Sequence, residues 1–231
     1  MFDLSQAEIA AVLLSLKVSL WAVGISLPFG IATAWVLARL EFPGKTLLDA
    51  LIHVPLVVPP VVVGYLLLLL FGRNGFLGGP LYDTFGITIT FSWQGAAVAA
   101  AVMAFPLMVR AIRLSIDAID TRLEQAARTL GARPFDVFLT ITLPLTASGI
   151  VVGVILAFAR ALGEFGATIT FVSAIPGETT TLPVSLYTLS QIPGEETGAV
   201  RLVVLSLIVA FGAMFTAEVI ARRVRKRIAG S

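Results

Sequence analysis

The chain contains no cysteine and a single histidine, His53, among its 231 residues. Disulfides and thiolate-bound metals are thereby excluded, and no histidine cluster is possible. Charge is scarce too: 13% of residues are Asp, Glu, Lys or Arg, against about 25% in an ordinary soluble domain. No G-x-x-x-x-G-K-[ST] phosphate loop occurs, so the chain has no device of its own for hydrolysing ATP. There is no histidine pair and no nucleophile elbow around which a catalytic site would form. The start, MFDLSQAEIA, carries no lysine or arginine and so lacks the basic n-region of a signal peptide. Its first apolar segment is expected to be a retained membrane helix.

What is abundant is apolar surface. Hydrophobic residues make up 58% of the chain and the mean hydropathy is +0.97. A helix crossing the hydrocarbon core needs roughly 20 mostly apolar residues, and five segments supply them: 9–40, 48–71, 91–116, 145–171 and 199–221. The expected fold is an all-α integral membrane protein of five transmembrane helices, one domain over 9–222 followed by a basic tail, 223–231. Lysine and arginine concentrate in alternate loops. Arg39 and Lys45 flank the first, Arg110, Arg113, Arg122, Arg128 and Arg133 crowd the third, and Arg222, Arg223, Arg225, Lys226 and Arg227 fill the tail. The other side holds only Arg73 and Arg201. By the positive-inside rule the N-terminus is outside and the C-terminus cytoplasmic, the tail serving as an anchor near anionic lipid.

Within this apolar chain, residues 117–144 are a polar cytoplasmic interruption containing EQAARTLGARPFDVFLTITLP. Asp120 or Thr121 is placed to cap a helix, and Glu124 follows in its first turn. Leu123, Ala126, Ala127 and Leu130 recur at helical spacing, and Gly131 supplies the left-handed stop. Pro134 then restarts a helix from the first-turn position, giving a stripe of Phe135, Phe138 and Leu139 until Leu143-Pro144 turns the chain into the fourth span. Small residues at the tip allow another protein's groove to close around the backbone. The alternative is a loop folded on its own membrane domain.

This stretch resembles the "EAA" loop of ABC-type importer permeases: Glu-Ala-Ala, three residues, Gly, nine residues, Ile, one residue, Leu-Pro. Here the register reads Gln125-Ala126-Ala127, Gly131, Ile141 and Leu143-Pro144, with every interval matching and Gln125 in place of the motif glutamate. Glu124 keeps a carboxylate one residue earlier, and Leu130, Ala132 and Pro134 complete the matched loop. FSWQGAAVAAAVMAFPLMVRAIRL, FARALGEFGATITFVSAIPGETTTLP and VVVGYLLLLLFGRNGFLG look like the molybdate permeases of that class. ALGEFGA is shared with sulfate permeases. The resemblance implies a type I ABC importer permease of the bacterial inner membrane, specific for molybdate, tungstate or a related tetraoxyanion. It implies a homodimer, a cytoplasmic ATPase dimer that carries ATP and Mg, and an extracytoplasmic oxyanion-binding protein. No cofactor, metal or nucleic acid is expected on this chain.

Some residues at membrane depth invite a functional reading. Arg160 and Glu164, four apart in the fourth span, share one helix face. Arg160 lies roughly 22 Å from the cytoplasmic edge and Lys17 roughly 12 Å below the outer surface at 1.5 Å per residue. They either line a path for an anion or hold helices together, with Lys17 snorkelling outward. The VPLVVPP run makes the second span, through Pro59 and Pro60, either a kinked packing helix or a pore-lining one. The small residues from Gly95 to Ala101 suit close helix packing. IPGETTTLPVSLYTLSQIPGEE, residues 175–196, suggests a re-entrant or surface-lying outer segment. His53 is expected at a helix end near the interface. A secondary transporter is the competing class, but no inverted repeat is visible and five spans do not halve.

Overall fold

The computed structural model describes residues 5–229 and the side chains of 5–223. The described residues form helices and no strands. α1 (Gln6–Arg39) opens with a capping box: the Ser5 side chain accepts from the Glu8 N–H, and Glu8 returns to the Ser5 N–H at 2.7 Å. Thirty-four residues at 1.5 Å each exceed the hydrocarbon thickness, and Pro28 is carried inside the helix. α5 (Trp93–Asp117) begins at the Ser92 cap. Its Ala96, Ala97, Ala99 and Ala100 are buried in the main core, so the small residues do serve close packing. These helices and Met103, Met108, Ile112 and Ile116 of α5 make the main core.

Among the described residues three helices are individually long and apolar enough to cross a membrane, α1, α5 and α12 (Glu196–Ala229). Counting each of two bent pairs as one span raises the number to five. The first pair occupies the second expected span, 48–71, and breaks it into two helices. α2 (Lys45–Val57) and α3 (Pro60–Phe71) are bent by 115°. Val58 and Pro59 are both extended, because a residue before proline avoids the helical region. Neither Pro59 nor Pro60 has an N–H to continue the ladder. His53, expected at a helix end, instead sits inside α2, its Nδ1 2.8 Å from the Asp49 carbonyl.

The fourth segment departs further from one continuous helix. After α6 (Thr121–Thr129), α7 (Pro134–Val137) passes through a π-helical turn (Phe138–Thr142) into α8 (Leu143–Leu145). Pro144 cannot donate to the Thr140 carbonyl, and the Leu143 N–H reaches back to the Phe138 carbonyl. Leu143-Pro144 therefore stays inside a helical run and does not turn the chain. The bend, 67°, falls between Leu145 and Ala147. α9 (Ala147–Leu162) then stops at Gly163, and α10 (Gly166–Val172) is a separate short helix. Arg160 and Glu164 thus do not share one helix: Glu164 lies beyond the end of α9.

A short helix, α4 (Gly78–Phe85), follows α3. The segment 175–196 holds α11 (Leu182–Ser190), with Leu182 and Val184 buried. Leu182 meets Ala11 of α1 and Leu202 of α12 in a second small cluster, and its N–H donates to Ser15 Oγ at 2.7 Å. The helix α12 runs on through the basic tail to Ala229, while the tail's side chains after Arg223 lie outside the described residues.

Candidate functional site

At the basic end of the bundle, α6 is delimited by local chemistry. Asp120 is the cap, accepting from the Arg122 N–H at 2.9 Å. At the other end Gly131 takes φ +91°. Its N–H donates to the Arg128 carbonyl and that of Ala132 to the Ala127 carbonyl, the paired bonds of a Schellman stop. Pro134 begins α7 at its first position.

What holds α6 to the bundle is a buried charge. The Glu124 carboxylate receives Arg39 Nε at 3.0 Å and Thr142 Oγ1 at 2.8 Å. Arg39 Nη2 also donates to the Ile116 carbonyl at 2.9 Å. The end of α1, the end of α5, α6 and the π-turn therefore meet at one node whose two charged side chains are 11% and 7% exposed. Trp35 and Phe138 pack edge to face beside it, 5.9 Å between centroids. Glu124, read as the first-turn carboxylate beside the motif, is thus turned inward. Arg39 and Thr142 were missed as its partners, since a contact across 85 residues leaves no local pattern.

The exposed side of α6 is mixed, with Leu123 and Leu130 standing beside Arg122, Gln125 and Arg128. Leu123 is 51% and Leu130 88% exposed, and Phe135 of α7 is 68% exposed. Gln125, Ala126, Gly131, Pro134 and Pro144 are exposed; Ala127, Ala132, Ile141 and Leu143 are half-buried. A helix that buries its glutamate and presents its leucines reverses the usual amphipathic arrangement.

A second arrangement lies where the broken helices meet. A Cβ on Gly166, at the start of α10, would stand 2.8 Å from the Pro60 side chain, so the two interruptions face each other. One on Gly64 of α3 would stand 2.6 Å from the Ala167 carbonyl, so α3 and α10 approach backbone to backbone. Glu164 is buried and accepts from the Ala167 N–H at 2.8 Å, capping α10, while Arg160 Nη1 pairs with its other oxygen. Phe165 packs at a tilt against Tyr187 of α11, 4.9 Å between centroids. Pro59, Pro60, Arg160 and Glu164 flank this double break. Lys17 has a partner of its own: its Nζ stands 3.6 Å over the Trp93 ring, a cation–π contact.

Adjacent discontinuous helices are how membrane transporters expose backbone groups to a solute, and a model of one transport family matches most of the chain. Residues 26–226 match the binding-protein-dependent transport system inner membrane component. The chain belongs to this family. The permease is 63% identical over 224 residues to the molybdenum transport system permease protein ModB of Escherichia coli K12, covering 97% of this chain and 98% of that one. It is 41% identical over 174 residues to the sulfate transport system permease protein CysW of Synechococcus elongatus, covering 75% and 60%. A solved bacterial ABC transporter that imports alginate superposes with TM-score 0.76 at 17% identity, covering 95% of this chain and 80% of that one. That likeness establishes the type of fold: an all-helical ABC importer permease. The permease is an inner-membrane transport component and not itself an enzyme.

Proposed function

We propose that the permease is the membrane-spanning subunit of an ATP-driven importer that delivers molybdate to the cytoplasm. The observation that carries this reading is the 63% identity to ModB over nearly the whole of both chains. In this reading two copies form the path, the basic end lies in the cytoplasm, and a separate ATPase dimer binds ATP and Mg. Residues 117–144 are the coupling loop. The exposed Leu123–Leu130 stripe seats in a cleft of the ATPase, with Gln125, Ala126 and Ala127 at the contact. An oxyanion-loaded binding protein docks on the opposite face. The double break at Pro59–Pro60 and Gly163–Gly166 lies along the path.

ATP binding shifts the permease between inward-open and outward-open only by its differential affinity for the two states. The loop must then move as one body with the spans, and the Arg39–Glu124–Thr142 node supplies that stiffness. Vesicles reconstituted with the permease, its ATPase and its binding protein test the reading. ATP-dependent molybdate accumulation is expected; uptake driven by an ion gradient without ATP would replace the reading with a secondary transporter. The 41% identity to CysW supports a sulfate importer as the second reading. Sulfate and molybdate competing at equal concentration decide between them.

A further inference from the structure

The α2–α3 arm is attached unevenly. α3 is seated on α10 at Gly64, and its Val63 and Leu67 are buried. α2, in contrast, has no fully buried residue; its Ile52 packs half-buried against the main core, an apolar contact that leaves the helix able to slide along its neighbour. One polar fixture opposes that. Arg113 Nη1 of α5 meets Asp49 Oδ2 of α2 at 2.9 Å, and Arg113 Nε lies 3.7 Å from Asp117 at the end of α5. His53 Nδ1 lies 3.3 Å from the other Asp49 oxygen. Among the described residues this is the one ion pair joining α2 to another helix. Both side chains are about one-third exposed, so the pair sits where the surroundings are less polar than water and its attraction is correspondingly stronger.

Its location gives it a task. Asp117 closes α5, and Asp120, three residues on, caps α6. Asp49 lies on α2, whose far end is the Val58–Pro59 break facing Gly166. We infer that Asp49 and Arg113 form a strut that makes the α2–α3 arm follow the coupling loop, so that movement at α6 reaches the membrane-depth break. They are positioning residues, acting through Pro59–Pro60 and touching no solute. The inference rests on the ATP-driven reading above.

The test measures molybdate taken up per ATP hydrolysed by the reconstituted transporter. Asp49→Asn and Arg113→Gln should assemble and hydrolyse ATP while uptake per ATP falls at least tenfold. Asp49→Glu, keeping the charge, should retain a third or more. Because this chain has no cysteine, Asp49→Cys with Arg113→Cys provides a unique thiol pair. Bridging it with a short bis-methanethiosulfonate should restore uptake per ATP to within threefold of wild type, and reducing the bridge should remove it again. Wild-type coupling in Asp49→Asn overturns the strut, as do a bridged pair no better than the unbridged one, or hydrolysis and uptake falling in proportion. If wild-type vesicles take up molybdate without ATP, the functional reading fails. If they require ATP and Asp49→Asn is fully coupled, only the strut fails.

Discussion

The permease interrupts its helices in two places by two different means. At the basic end, between α5 and α9, the chain turns through the loop of α6 and α7, and a buried ion pair with a threonine and a backbone carbonyl fastens it. Away from that end, between α2 and α3 and between α9 and α10, the chain breaks at prolines and glycines, and backbone packs directly on backbone. The difference follows from what each site offers. A four-element node can satisfy both partners of an ion pair, so the charges are held in one geometry. Close apolar contact without a directional bond, as between Gly64 and Ala167, fixes the separation of two helices but permits sliding along them. The node is thus a stiff lever arm held in one geometry by directional bonds, and the double break a seam held by matched shape.

The comparison is broken most severely at the lever. Gly131→Pro requires φ near −65° where the chain has +91°. The Schellman stop cannot form, and α7 would leave at a different angle. Molybdate uptake should be abolished, while membrane immunoblots show normal levels of the permease. Uptake at the wild-type rate would show that the stop is not needed. Arg39→Ala strikes the same region by leaving the Glu124 carboxylate buried without its cation, at a cost of about 3–5 kcal/mol. Uptake should fall more than tenfold, and trypsin should cut more rapidly after Arg122, Arg128 and Arg133.

How far these two regions were legible beforehand divides along the same line. The caps at Asp120, Gly131 and Pro134 are local events, written in neighbouring residues, and the sequence pattern located each within a residue. The inward turn of Glu124 depends on Arg39, far away in the chain, and no spacing rule reports it. Pro59 and Pro60 announced a disturbance, but how sharply the arm bends depends on where α3 finds its seat on α10. The Gly163–Phe165 break was invisible because no proline marks it and both flanks are apolar. It exists because Glu164 caps a new helix at Ala167, which places a carboxylate where an uninterrupted span would carry one at some cost. Lys17 read as a lone cation; its partner Trp93 lies on another span.

The seam is sharpened by Gly64→Ala. The added methyl would stand 2.6 Å from the Ala167 carbonyl, backbone that cannot rotate aside, so α3 and α10 must separate. Overpacking of this kind costs about 1–3 kcal/mol. A lowered melting temperature in detergent and uptake reduced severalfold are expected. The coupling loop should be untouched, so tryptic cleavage after Arg122, Arg128 and Arg133 should match the wild type. Faster cleavage there would mean that the two regions are not mechanically separable.

The smallest effect belongs to Gln125→Glu, which restores the motif carboxylate. Gln125 is exposed, and a surface change away from any packing feature alters stability by no more than about 0.5 kcal/mol. Its neighbour Glu124 already occupies the Arg39 node, so a second carboxylate about 100° further round the helix cannot enter it and faces outward, on a side of α6 away from the Leu123–Leu130 stripe. The melting temperature should not move. Any change should be confined to how tightly the ATPase co-purifies, since only a partner on that face would sense the new charge. A melting temperature shifted by several degrees would mean that position 125 contacts the bundle, and that the outward face of α6 has been placed on the wrong side of the helix.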